Sequence, residues 1–174
     1  MYLYAEKYMG NNIDQTGSYA EIKNLAGLKD LPTPDFSNVI VKSMVGYWRK
    51  ANAIHGWIVE KCGKGVDECQ VIYLGSDDLI NLRNDCIKAL ANPDREYQIE
   101  NPKVLYQLCD YLNSLETELN PATYENPLPP VEGFFFGGND LTDYYYHKLE
   151  YTVDLITSLL ESDQELSFSY QASW

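Results

Sequence analysis

Apolar and polar residues alternate along two stretches of this chain. Tyr2, Tyr4, Glu6 and Tyr8 interleave with Leu3, Ala5 and Lys7, and Leu166, Phe168, Tyr170, Ala172 and Trp174 interleave with polar residues. A period of two predicts a strand at each place, and the second signal is the stronger. Cys69–Leu74 reads as a short third strand beside them. Elsewhere the period lengthens to that of a helix. The first long helix is expected to begin between Ser37 and Ser43 and to run to about Cys62, where Gly63 and Gly65 stop it. A second follows Gly75, with Ser76 as its cap and Asp77 and Asp78 favouring its dipole, and it buries Leu79, Leu82, Cys86 and Leu90. A third opens at Asn101-Pro102, with a stripe of Leu105, Leu108, Leu112, Leu115 and Leu119. A fourth, capped by Asp140 or Asp143, reaches about Ser162 with Tyr145, Leu149, Val153, Ile156 and Leu160 inward. A short helix near Ala20–Leu28 fits inside an otherwise connecting segment. The expected fold is α+β and mostly α, with about four helices packed on a small antiparallel sheet that includes the C-terminal strand. One domain spans 1–174, with 1–40 as an N-terminal extension of strand and linker and 41–174 as a helical core plus the last strand.

The richest stretch is Tyr47–Trp57. Two tryptophans, a tyrosine, two cations, an asparagine and one of the two histidines fall within it. On a continuous helix, Met44, Trp48, Ala51, His55, Ile58 and Cys62 form one stripe, with Arg49, Asn52 and Gly56 beside it. That stripe is either a core face with a polar edge or the wall of a ligand pocket. As a pocket it offers an arginine to fork onto phosphate or carboxylate, a tryptophan to stack on a ring, and Asn52 and His55 for polar edges.

Charge sharpens this picture. Formal net charge is −13, which argues against general nucleic-acid or anionic-membrane binding. Residues 36–66 carry five cations and one acid, whereas residues 67–174 carry five cations and twenty acids. The aromatic stretch therefore lies in the one locally basic region, either as an anion-facing site or as an internal counter-charge. Fifteen tyrosines against five phenylalanines suit interfaces and half-wet pockets, or core-edge positions, and a homodimer is compatible with them.

Catalytic and metal chemistry find little support. The histidines are His55 and His147, no serine or cysteine lies in a nucleophile motif, and no spacing suits a metal. No cofactor motif is present. Cys62, Cys69, Cys86 and Cys109 are too widely spaced for a zinc knuckle or redox pair and are expected as free thiols in a reducing cytosol. No apolar run is long enough to span a membrane. A second candidate site is Phe134-Phe135-Phe136, clamped between Gly133 and Gly137-Gly138, which is either a loop lining a site or a hydrophobic plug. Of Tyr144, Tyr145 and Tyr146, at most two can be core, leaving one to line a groove. The candidate ligand-binding residues are Trp48, Arg49, Asn52, His55, Phe135, Tyr145 and Trp174.

Three blocks, Tyr47 to His55, Gly133 to Gly137 and Tyr170 to Trp174, together resemble a family of small proteins of tailed bacteriophages and prophages. The resemblance covers roughly residues 44–90 and 128–174; residues 1–40 and the helix near 102–119 look like additions. It implies a context, the cytoplasm of a phage-infected bacterium, and no activity. Within that context the expected function is a non-enzymatic protein that binds a small anionic, nucleotide-like immune signal and withholds it from bacterial defence. The alternatives are a module whose acidic surface engages a host protein, and a minor virion component.

Overall fold

The computed structural model describes residues 1–13, 19–30, 37–131, 140–162 and 165–173. Its elements, in order, are β1 (Tyr2–Asn11), α1 (Tyr19–Leu25), β2 (Asn38–Tyr47), α2 (Asn52–Lys61), β3 (Ile72–Leu74), α3 (Ser76–Leu90), α4 (Pro102–Ser114), α5 (Asp143–Leu160) and β4 (Ser167–Gln171). The fold is mostly helical, five helices with a small antiparallel sheet that includes the C-terminal strand. The strand order is β2-β1-β4-β3.

Both terminal alternations form strands, and they pair with one another. Leu3 lies opposite Tyr170, and Ala5 opposite Phe168. β1 is therefore an inner strand of the sheet, held by β2 on one side and β4 on the other. The period of two divides the sheet into unlike faces. Leu3, Ala5, Ile72, Leu74, Phe168 and Tyr170 are buried. They belong to the same core as Ile54 and Ile58 of α2, Leu79, Leu82 and Leu90 of α3, and Leu149, Val153 and Ile156 of α5. The opposite face carries Tyr2, Tyr4, Glu6 and Tyr8 with their neighbours Lys42, Met44, Tyr47 and Tyr73, and much of it is open.

The expected long helix from Ser37–Ser43 to Cys62 is not formed. Its first part is the strand β2, and only Asn52–Lys61 is helical. The β-branched residues Val39, Ile40, Val41 and Val45 favour a pleated surface over a helix. Gly46 then allows a close approach, since a Cβ there would lie 2.6 Å from Leu155 Cδ2. The stripe from Met44 to Cys62 is accordingly cut: Met44 stands exposed on the open sheet face, whereas Trp48 is in the core. The turn between β2 and α2 passes through Lys50 at φ 53.

Other expectations shift by smaller amounts. The cap of α3 is Gly75, whose amide donates to Asp78 Oδ2 at 2.8 Å, and Ser76 is already helical. Thr142, not Asp140 or Asp143, caps α5 through Tyr145 N at 3.4 Å. α4 ends at Ser114 and buries Val104 and Leu108, leaving Leu105 and Leu112 exposed. Its leucine stripe is displaced because α4 is tethered by polar bonds. Glu150 accepts from the amides of Glu100 and Asn101 at its start, and Gln107 Nε2 donates to Thr157 Oγ1 at 3.1 Å further on. α5 keeps its expected inward face from Tyr145 to Ile156, with Leu160 only partly buried.

Candidate functional site

The turn from β2 into α2 is built on Trp48. Its amide donates to Met1 O at 2.9 Å, its indole Nε1 to Thr152 Oγ1 at 2.9 Å, and its ring meets Tyr151 edge-on. At 1 % exposure it is a core anchor. Arg49 is exposed, and its carbonyl accepts a hydrogen bond from Tyr144 OH. Lys50 follows in the left-handed region, where a side chain costs on the order of 1–2 kcal/mol. Ala51 is the N-cap of α2 and supplies no side-chain cap, and the first turn holds no acid. Positive charge is thus gathered at a helix start that attracts anions.

A cleft of about 240 Å³ opens at this point. Lys50 and Asn52 form one side, and Thr142, Tyr144, Tyr145 and Lys148 of the α5 start form the other. Lys148 Nζ lies 4.8 Å from the centre of the Tyr144 ring, which draws the cation and the aromatic wall together. Asp140 also lines the cleft, one carboxylate against two lysines. Tyr145 is fixed by donating to Leu128 O at 2.9 Å, and burial pushes its phenol well above the ordinary range. It serves as a neutral wall.

A second cleft, of about 410 Å³, lies on the other side of Asn52. Asn52 belongs to both clefts; it is 5 % exposed, with its Nδ2 donating to Val131 O at 2.9 Å and its Oδ1 accepting from Ala53 N at 2.8 Å. His55 lines the second cleft with Trp57, Asp67, Pro127 and Pro129. The ring of His55 is held at both ends, Nδ1 by Tyr170 OH at 2.7 Å and Nε2 by Asp67 Oδ2 at 3.1 Å. Burial first, then the charge of Asp67, pushes the Tyr170 phenol up, so its hydroxyl keeps its proton beside Nδ1. A carboxylate oxygen accepts, so Nε2–H donates to Asp67, and the two partners together orient the ring. His55 is thereby an orienting link between the core and the cleft rim.

The structure therefore distributes the candidate residues. Asn52 and Tyr145 meet in the first cleft, and Asn52 and His55 in the second. Trp48 is buried in the core, and neither it nor Arg49 lines either cleft. Phe135 and Trp174, with the Phe134–Gly138 segment, lie outside the described residues. Lys50, Lys148 and Asp67 are site residues that the sequence reading passed over; Tyr144, exposed beside the buried Tyr145 and Tyr146, is the one of that run left to line a groove. The i, i+4 pairing of Tyr144 with Lys148 at a helix start was the available signal.

Among the described residues, no group of histidine, cysteine and carboxylate side chains is placed to hold a metal, and no helix is long and apolar enough to cross a membrane. Burial raises the Cys62 thiol to about 11 and pushes that of Cys86 well above its ordinary value, so neither is an activated nucleophile. No family model, curated protein or solved structure matches this chain.

Proposed function

We propose that this chain is a non-enzymatic binding protein for a small anionic, nucleotide-like molecule, with the anion held in the cleft at the start of α2. One observation carries the reading: two lysines and an aromatic wall line the cleft at a helix start whose N-cap, Ala51, offers no polar side chain and whose first turn holds no acid. The helix start favours an anion by roughly 0.3–1 kcal/mol when exposed and up to about 2 when partly buried. The second cleft, across Asn52, gives a larger apolar surface for the rest of such a molecule. In the phage-infected cytoplasm that the resemblance implies, holding a signal of this class would withhold it from host defence.

Calorimetry with cyclic dinucleotides and ADP-ribose-type signals tests the proposal. Saturable binding is expected with at least one of these classes. Lys50→Ala with Lys148→Ala should weaken it by about tenfold or more, since each lysine supplies on the order of 1 kcal/mol. Lys50→Gly sharpens the result: it relieves a left-handed side chain while removing the cation, so stability should rise as affinity falls. No heat with either class, or unchanged affinity in the double variant, would overturn the reading.

A protein-binding role is the second reading, and the open sheet face favours it. Tyr8, Ile40, Met44, Tyr47 and Tyr73 are all exposed there, with Tyr73 at 74 %. Tyrosine and methionine are enriched at interfaces. Capture of a host protein that survives high salt but fails in Tyr73→Ser would locate the partner on this face. Capture that dissolves with salt would point instead to the acidic surface.

A further inference from the structure

A cavity larger than either of these clefts lies elsewhere. α4 runs beside α5 in the same direction, pinned at Glu150 and at Thr157. α3 packs on α5 the opposite way, with Asn92, just beyond its end, donating to Tyr146 OH near the start of α5 at 3.0 Å. Because α4 buries only Val104 and Leu108, a groove of about 900 Å³ is left among α3, α4 and α5.

The charges in that groove are unusual for their surroundings. Residues 67–174 hold twenty acids and the five cations Arg83, Lys88, Arg95, Lys103 and Lys148. Three of those five, Arg83, Lys88 and Lys103, line this one groove. Lys88 is paired with Asp85 at 3.0 Å. Arg83 has no carboxylate within ion-pair distance among the described residues. Its one hydrogen bond is a long one, from Nη2 to Asn84 Oδ1 at 3.4 Å, and its Nε is buried with no acceptor. Asp110 and Glu161 also line the groove, yet neither forms an ion pair with its cations. A guanidinium edge left this way is a costly arrangement, and its natural complement is a pair of oxygens on one carboxylate or phosphate. Tyr106, 73 % exposed, adds an aromatic surface at the same place.

We propose that this groove is a second binding site, for a small organic oxyanion whose phosphate or carboxylate is forked by Arg83 and whose body lies along Tyr106. It is independent of the α2 cleft. The start of α4 is not the binding element, because Asn101 Oδ1 already accepts from Lys103 N at 2.9 Å. Asp110 and Glu161 restrict the ligand to a compact anion with neutral or donor groups around it, since a second anionic group would meet them.

The test follows the Nε–H of Arg83 by nitrogen-15 NMR while the intact protein is titrated with inorganic phosphate, phenyl phosphate and benzoate. A saturating shift is expected with phenyl phosphate or benzoate, which also tells phosphate from carboxylate. Inorganic phosphate, lacking a ring for Tyr106, should bind about tenfold more weakly than phenyl phosphate. Arg83→Gln should weaken the better organic probe by about tenfold or more, whereas Lys50→Ala with Lys148→Ala should leave it unchanged. If Arg83→Gln does not fold, Arg83→Lys keeps the charge without the fork and should show the same loss. An Arg83 Nε–H signal unmoved by all three probes, or an Arg83 variant that binds as tightly as the parent, would overturn the site.

Discussion

Two carboxylates show how this acidic protein spends its few cations. Glu150, on α5, is 6 % exposed and accepts from three neutral donors: Tyr97 OH at 2.5 Å and the amides of Glu100 and Asn101. Glu6, on the open sheet face, accepts from Lys42 Nζ at 2.7 Å and Ser169 Oγ at 3.0 Å, with Lys42 also over the Tyr4 ring. The buried carboxylate has a polar cage and no cation; the surface one has the lysine. A cage of amides and a phenol suits the interior, because burying a lysine would add its own desolvation cost. The deep group is therefore architecture, fixing where α4 begins. The shallow one is a tether that keeps the middle of a tyrosine-rich face neutral.

The comparison is most severely tested at Glu150. Glu150→Ala leaves a phenol and two amides without their acceptor, and should cost roughly 3–4 kcal/mol in urea unfolding. Tyr97, pushed upward by burial and then by its bond to Glu150, should titrate closer to an ordinary phenol in that variant, readable by ultraviolet absorbance. A loss below about 1 kcal/mol would mean that water replaces the cage and that depth does not set the partners.

His55 stands between these extremes and predicts an intermediate effect. Its inner partner, Tyr170, is buried, whereas the side chain of Asp67 is 38 % exposed. Tyr170→Phe should cost about 1–2 kcal/mol, since a buried hydrogen bond to His55 Nδ1 is lost. Asp67→Asn should cost less than about 1 kcal/mol, because water reaches its side of the ring. Equal losses from the two substitutions would erase the gradient with depth.

Much of this arrangement is written locally. The strict alternation of Leu3–Tyr8 and Leu166–Ala172 specified strands, and Asn101-Pro102 specified a helix start, because each depends on neighbours in sequence. β2 was misread because Trp48, Ala51, His55 and Ile58 continue a helical spacing through a turn that only Lys50's backbone reveals. Pairing of β2 with β1 rests on contacts about forty residues apart, such as Tyr4 with Met44, and tertiary pairing overrides local spacing. The site was legible in part for the same reason. Asn52 and His55 were visible as polar residues on an apolar stripe, but Lys148 joins Lys50 only after α5 folds back. Arg49, the more conspicuous cation by chemistry, lines neither of the two clefts once the helix begins three residues later.

The smallest expected effect belongs to the surface pair, and pH gives it a sign. Hydrogen bonding from Lys42, then from Ser169, holds Glu6 below its ordinary value of 4.5, against a smaller upward push from desolvation. A carboxylate whose folded pKa is depressed stabilises the protein above its unfolded value and loses that contribution as pH falls through the folded one. Lys42 is 44 % exposed and its charge is screened, so Lys42→Met should cost less than about 1 kcal/mol at pH 7. The gap between parent and variant in urea midpoint should hold from pH 7 down to about 4.5, then close as Glu6 takes up its proton. High salt at pH 7 should narrow the same gap. A gap that persists undiminished below the folded pKa would assign the role of Lys42 to packing on Tyr4, and the neutral centre of the tyrosine face would then owe nothing to charge.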